Sequence, residues 1–346
     1  MSLRITYQPW GETLAEVVEA GRRAEEAGAE VLWTSELHRS ATITAAALAA
    51  GTSTAKVGTA ILLAFTRSPM VTALEALDLD EMSGGRFVLG LGSGVQRLNE
   101  DWHNVEFGKP VPHMRETVRN IRLFWSTATT GETMRTEGDW EPMHIRGYER
   151  PFPVVRPDIP VYLAAMGPYM MRLAGQVGDG WISHELCSPA YLAERLLPDL
   201  QAGIDRAEGK NREDLDVVVS ACCSIDADGS VARRRAAGLV GFYATVRSYV
   251  EMFEFHGIGE GQQKVIETFR AGTGADYLAD VVGDEMVDAL TLSGTRDEVV
   301  ARVAAYDGVA DSIKLSPPTH GIAAQDTRVA QDAIIDMIAE FTGANR

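Results

Sequence analysis

Residues 56–92 read KVGTAILLAFTRSPMVTALEALDLDEMSGGRFVLGLG, in which two short apolar stretches flank a helical one. The apolar stretches, 56–62 and 86–92, have the length and composition of buried strands. Between them, residues 69–82 have helical periodicity and begin with proline, which is favoured at the first position of a helix. A strand, a helix and a second strand in this order predict a βαβ unit of a parallel sheet.

The same alternation runs along most of the 346-residue chain. It predicts eight parallel strands, and eight such units close into a barrel more readily than they form an open sheet of that width. The predicted fold class is therefore α/β, a (β/α)8 TIM barrel that forms one domain over residues 1–346. It carries an insertion around 126–158 and a helical block after strand seven. The eight predicted strands are 3–7, 30–35, 56–62, 86–92, 160–164, 180–184, 216–225 and 311–315.

Composition narrows the possible functions. The chain has 32 basic and 49 acidic residues, a net charge of −17, and 45% of its residues are hydrophobic. Because so acidic a chain repels phosphate backbones and anionic membranes, neither nucleic acid nor a membrane is an expected partner. The first residues lack the pattern of a signal peptide, and the three cysteines lack the spacing of a disulfide framework. These features predict a cytoplasmic enzyme that acts on a small molecule.

Three candidate residues lie at or just after the ends of predicted strands, at the end of the barrel where active sites lie. Glu36 and His38 follow the second strand, and both can exchange a proton near neutral pH. Helix capping for Glu36 and a rim position for His38 fit the same pattern equally well. His184 ends the sixth strand and is a candidate for the substrate pocket, although a lone histidine is more often a packing or rim residue. The other histidines show no metal-ligand spacing, so no metal is predicted.

Two turns are candidates for cofactor binding. The fourth strand ends in glycines up to Gly94, and glycine lets a backbone approach a ligand closely. Asn99, a few residues later, is positioned to offer its amide to a planar ring. After the fifth strand, a helix that begins with proline leaves preceding amides available for a phosphate. An ordinary tight turn is the alternative at both places. The amides in question belong to Ala165, Met166 and Gly167.

Several of these stretches together resemble the bacterial luciferase-like monooxygenase superfamily. The likeness rests on Trp33-Thr-Ser-Glu-Leu-His38, on the residues from Gly58 to Pro69 and on Ser83-Gly-Gly-Arg-Phe-Val-Leu-Gly-Leu-Gly-Ser-Gly94. A fourth stretch, Val161-Tyr-Leu-Ala-Ala-Met-Gly-Pro168, is similar to the branch that uses coenzyme F420, a 5-deazaflavin. The likeness covers roughly residues 3 to 320.

The resemblance implies an F420-dependent oxidoreductase, a homodimer, that transfers a hydride between coenzyme F420 and an unidentified small organic substrate. It implies a cis peptide bond between Ala60 and Ile61 beneath the deazaflavin ring, with Asn99 near the ring or its ribityl chain. It also implies a proton-handling role for Glu36 or His38 beside the ring. The amides of residues 165–167 take the position that holds the cofactor phosphate in this branch.

The chain departs from the family pattern at a few positions. Many deazaflavin members have aspartate where this chain has Glu36, and Val95 and Gln96 stand where the sugar-phosphate dehydrogenases have glutamate. That substrate class is therefore not expected, and nothing in the chain points to a pterin pocket. Tyr243 and Tyr249 are expected to line the roof of the pocket with His184. The alternatives are an FMN-dependent luciferase-like monooxygenase that uses oxygen, and a non-catalytic barrel that acts as a structural partner.

Overall fold

The computed structural model of the protein describes residues 3–343, over which short strands alternate with longer helices. Residues 1–2 and 344–346, which belong to the predicted domain, lie outside the described residues. Twelve strands occur in the described part of the chain. They are β1 (Arg4–Tyr7), β2 (Val31–Thr34), β3 (Lys56–Thr59), β4 (Leu62–Leu63), β5 (Phe87–Gly92), β6 (Met134–Thr136), β7 (Met143–Ile145), β8 (Val161–Ala164), β9 (Gly180–Ile182), β10 (Asp216–Ile225), β11 (Leu292–Gly294) and β12 (Ser312–Ser316).

Thirteen α-helices occur over the same described residues, with short π-helical and 3-10 segments between some of them. No helix in this range is long and apolar enough to cross a membrane. The helices are α1 (Leu14–Glu26), α2 (Ala41–Gly51), α3 (Pro69–Ser83), α4 (Pro110–Thr127), α5 (Pro168–Val177), α6 (Pro189–Tyr191), α7 (Leu197–Ile204), α8 (Gly229–Ala244), α9 (Val250–Phe255), α10 (Gly259–Arg270), α11 (Asp284–Leu290), α12 (Arg296–Ala304) and α13 (Ala324–Thr342).

The chain divides into two compact units, and the first contains residues 3–32, 183–197 and 217–343 of the described part. Its strands are parallel: β1 pairs with β12, β12 pairs with β10, and the end of β10 pairs with β11. All five residues of β12 are buried, including Lys314 at its centre. Helix α13 contributes Gln331, whose side-chain oxygen accepts a hydrogen bond of 3.0 Å from the Tyr7 hydroxyl.

The second unit contains residues 33–182 and 198–216. Its strands β3, β5, β8 and β9 are parallel neighbours in that order, and β5 is buried along its whole length. The glycines of β5 are there for steric reasons. A Cβ added to Gly90 would lie 1.8 Å from the carbonyl oxygen of Thr59. The Thr59 hydroxyl also donates to the Gly90 carbonyl at 2.7 Å, so the two strands meet at a distance that only glycine permits.

Each of the eight predicted strands overlaps a strand in the structure, but some details of the prediction are wrong. The third breaks into β3 and β4 on either side of residues 60–61, and the insertion contains the antiparallel hairpin of β6 and β7. The short strand β11 has no counterpart in the prediction. Three residues, Leu-Ser-Gly, are too few to show a period of two, so the pattern did not reveal it.

Candidate active site

The peptide bond between Ala60 and Ile61 is cis, as the resemblance predicts, and Glu36 holds the backbone around it. The Glu36 amide donates to the Ile61 carbonyl oxygen at 3.1 Å, and the Leu63 amide donates to Oε2 of the Glu36 side chain at 2.9 Å. Glu36 therefore bonds to Ile61 within the bulge between β3 and β4 and to Leu63 just after it. The sequence places it there because it follows β2, the neighbour of β3.

The Glu36 carboxylate is fully engaged by one cation. Arg67 donates from Nη2 to Oε1 at 2.7 Å and from Nη1 to Oε2 at 2.9 Å, a two-pronged pair. The hydrogen bond that Arg67 donates to Glu36 raises the pKa of Arg67 despite partial burial, whereas burial raises the pKa of the nearby Glu75 carboxyl. His38 is exposed, and among the described residues no hydrogen bond joins it to Glu36. The two predicted proton-handling groups thus have different environments: Glu36 is paired with Arg67, and His38 is exposed.

Asn99 is buried and holds the glycine turn after β5. Its Nδ2 donates to the Ser93 carbonyl at 2.8 Å and to the Val95 carbonyl at 3.0 Å. Gly94 adopts φ +62°, and a Cβ there would lie 2.7 Å from Leu63. The Oδ1 atom of Asn99 is buried and has no partner among the described residues. Both side-chain amide hydrogens of Asn99 therefore bond within the turn, and the side chain can offer a ligand only its acceptor oxygen.

The predicted phosphate site lies at the beginning of α5, a helix of ten residues with proline at its first position. No side chain caps this helix, and Gly167 is its exposed N-cap residue. A Cβ added to Gly167 would have nothing within 4 Å. Ala165 is buried, and its carbonyl oxygen accepts a bond of 3.0 Å from Trp181 Nε1. An uncapped helix N-terminus carries a partial positive charge and suits an anion.

In the first unit, His184 lies among aromatic rings. Its ring centroid is 4.3 Å from that of Tyr243 and 4.2 Å from that of Tyr249. The structure therefore brings together the three residues predicted to line the pocket roof. Burial lowers the pKa of His184 to about 4, and Lys314 adds to the effect. The imidazole is consequently neutral at neutral pH. Its Nε2 is buried and has no partner among the described residues.

Residues 2–312 match the family model described as luciferase-like monooxygenase. The chain belongs to this family. It is 31% identical over 291 residues to a 5,10-methylenetetrahydromethanopterin reductase of Archaeoglobus fulgidus, a match that covers 81% of this chain and 82% of that protein.

Solved structures are similar to this luciferase-like chain over almost its full length. One is a coenzyme F420 dependent tetrahydromethanopterin reductase of Methanopyrus kandleri, with a TM-score of 0.80, 22% identity, and 98% and 97% of the two chains covered. Another is an F420-dependent secondary alcohol dehydrogenase in complex with an F420-acetone adduct, with a TM-score of 0.75, 18% identity and full coverage of both chains. This likeness confirms the predicted (β/α)8 barrel fold.

A buried ion pair next to His184 in this luciferase-like protein was missed by the sequence analysis. Lys314 Nζ donates to Oε1 of Gln8 at 2.7 Å and to Oε1 of Glu185 at 3.3 Å, and the Ser316 hydroxyl donates to Glu185 at 3.0 Å. Burial alone would raise the pKa of Glu185, but Lys314 and the other partners outweigh it and lower the pKa. The available signal was a lysine in the middle of an otherwise uncharged strand, Ser-Ile-Lys-Leu-Ser.

No group of His, Cys, Asp or Glu side chains suited to a metal ion occurs within residues 3–343. The three cysteines, Cys187, Cys222 and Cys223, are all free and buried. Burial raises the pKa of the Cys187 thiol to about 12, so it stays protonated and is a poor nucleophile.

Proposed function

We propose that this luciferase-like protein is an oxidoreductase that transfers a hydride between coenzyme F420 and a small organic substrate. The observation that carries the proposal is the uncapped beginning of α5 at Gly167, where an anion would meet the positive end of a helix without a competing side chain. The names of the two similar structures point to the same cofactor. A phosphate-bearing cofactor therefore suits this acidic chain.

The residues around the proposed cofactor site fit a deazaflavin. The amides of residues 165–167 would hold its phosphate, and Ala60 and Ile61 would lie beneath its ring. The buried acceptor Oδ1 of Asn99, beside Gly94, suits a hydroxyl of the ribityl chain or a ring N–H. When bound, the deazaflavin supplies a ring carbon that gives or accepts a hydride.

Glu36 and His38 have different roles in this proposal. The Glu36 carboxylate, paired with Arg67, orients the segment around Ala60 and Ile61. His38 is exposed and has an imidazole side chain, so it is the group placed to exchange a proton with substrate or water. His184 lines the substrate pocket with Tyr243 and Tyr249.

The proposal also includes the domain organisation, the cellular location and the oligomeric state of the protein. The family match includes residues of both compact units, which supports one functional domain over residues 1–346. Free, buried thiols support a cytoplasmic location.

The neighbouring helices α2 and α3 expose large apolar side chains, which supports a homodimer formed through this face. These side chains are Ile43, Val71 and Met82, exposed by 59%, 43% and 53%.

Parallel titrations of the purified apoprotein with coenzyme F420 and with FMN, followed by tryptophan fluorescence, test the cofactor assignment. Micromolar binding of F420 with weaker binding of FMN is the expected result. A preference for FMN would support the alternative, a luciferase-like monooxygenase that uses oxygen. Binding of neither compound would contradict the catalytic proposal and leave the fold unaffected.

A further inference from the structure

His184 carries a hydrogen-bond donor that the protein itself does not use. The Leu186 amide donates to Nδ1 of the imidazole at 3.3 Å, so Nδ1 acts as an acceptor and carries no proton. Because the imidazole is neutral, the ring proton must then reside on Nε2. That nitrogen is out of contact with solvent and has no partner among residues 3–343. A buried N–H without a partner costs free energy, so a donor kept in this state points to a ligand.

The groups around His184 determine which ligand atom suits this donor. The imidazole stands edge to face with Tyr243, at 84°, and is tilted by 36° to Tyr249. Aromatic faces accept hydrogen bonds only weakly, so the donor is left for an oxygen or nitrogen of a ligand. The rings themselves would provide flat apolar walls for the rest of that ligand.

The charges near His184 cancel. Glu185 is paired with Lys314, and Lys314 also donates to Gln8. Burial raises the pKa of the Tyr249 hydroxyl to about 12 and raises that of Tyr243 as well, so both hydroxyls are protonated. An anionic group would find no unpaired cation among these residues, and burying an unpaired charge is costly.

We propose that Nε2–H of His184 donates a hydrogen bond to the oxygen of a neutral carbonyl or hydroxyl group on the substrate. The substrate class is thus an uncharged ketone or aldehyde, or the corresponding alcohol, with an apolar body that packs on Tyr243 and Tyr249. That the ligand is a substrate rests on the proposed function. The oxygen-binding site itself rests only on the contacts of the described residues around His184. A neutral imidazole polarises a carbonyl as a donor and keeps its own proton.

The test uses the full-length protein labelled with ¹⁵N-histidine, and it observes the imidazole nitrogens by NMR. The His184 signals are identified as those absent from His184→Phe, and the probes are cyclohexanone and methylenecyclohexane, which has nearly the same shape but lacks the oxygen. We expect the Nε2–H tautomer in the free protein and a shift of its N–H signal with cyclohexanone alone. The dissociation constant for cyclohexanone should rise roughly tenfold in His184→Phe. Cyclohexanecarboxylate should bind more weakly than cyclohexanone.

An Nδ1–H tautomer, equal shifts with both neutral probes, or tighter binding of the carboxylate would each overturn the inference. If His184→Phe does not fold, His184→Asn identifies the His184 signals instead, and the comparison of the probes on the wild-type protein decides the matter. The F420 titration separates the two proposals. A protein that binds F420 but shows no oxygen-dependent shift at His184 refutes this inference alone. A protein that shows the shift but binds no F420 supports the oxygen site and refutes the proposed function.

Discussion

The guanidinium of Arg67 and the carboxylate of Glu36 are joined by two hydrogen bonds, of 2.9 and 2.7 Å, and neither side chain is more than a fifth exposed. The same carboxylate accepts a hydrogen bond from the Leu63 amide, so one ion pair fixes the backbone on which the proposed cofactor ring would rest. The ion pair of Glu36 and Arg67 therefore helps to determine the shape of the bulge between β3 and β4.

Replacing Glu36 by Gln should lower the free energy of unfolding by about 2 kcal/mol, because a charge-assisted, two-pronged bond becomes a neutral one. Urea unfolding measures this. In a double-mutant cycle, Glu36→Gln and Arg67→Met should together cost less than the sum of the single changes, since both remove one interaction. The exposed pair of Arg97 and Asp101 provides the control, and Arg97→Met should change stability by less than about 0.5 kcal/mol. Additive effects of the substitutions at Glu36 and Arg67 would contradict the proposal that their ion pair holds the backbone of the bulge.

Asn99→Asp should damage the glycine turn, because it replaces the Nδ2 donor by an oxygen that faces the carbonyls of Ser93 and Val95. We expect a loss of about 3 kcal/mol in the free energy of unfolding and weaker binding of F420. Gln96→Glu makes the same chemical change at an exposed position and is the matched control. Equal thermal stability of the two variants would show that Asn99 does not hold the turn.

Stability should fall as the pH drops from about 6.5 towards 4, because the pKa of His184 is lowered from 6.5 to about 4 in the folded protein. In this window the unfolded chain binds a proton that the folded chain excludes, so the free energy of unfolding rises with pH. The total change from this residue is on the order of 3 kcal/mol. Urea unfolding across the window should show a shallower slope for His184→Asn. The exposed His103→Asn should keep the wild-type slope, and an unchanged slope in His184→Asn would contradict the burial argument.

The sequence reveals those features of the molecule that depend on residues close together in the chain, such as the strands and helices. The sequence predicts that the glycines at the end of β5 let the backbone approach a ligand, whereas at Gly90 the observed close approach is to the carbonyl of Thr59 in the neighbouring strand. The pairing of Glu36 with Arg67 was not foreseen, since the two residues lie 31 positions apart and only the fold brings them together. Lys314 and Glu185 are 129 positions apart, and the alternation that revealed β12 says nothing about the partner of its central side chain.

Ile43→Asp should convert the proposed homodimer into a monomer, because it places a charge in the exposed apolar face of α2. Light scattering coupled to size-exclusion chromatography measures the mass. Val329→Asp on α13 also replaces an exposed apolar residue, outside the proposed interface, and should leave the mass unchanged. A wild-type protein that is already monomeric at micromolar concentration, or a dimer that persists in Ile43→Asp, would rule out this interface.

Gly167→Asp should move protein stability and cofactor affinity in opposite directions. The residue has φ −83° and ψ 152° and open space around its Cβ position, so aspartate fits there without strain. A carboxylate at the N-cap bonds to the first amides of α5 and complements the helix dipole, which should raise the free energy of unfolding by a few tenths of a kcal/mol. The same carboxylate competes with a phosphate for those amides and repels it, so the dissociation constant for F420 should rise at least about tenfold. Gly167→Asn caps the helix without adding charge, and its loss of affinity should be smaller. Unchanged F420 binding in Gly167→Asp, measured by fluorescence titration, would remove the cofactor phosphate from this helix.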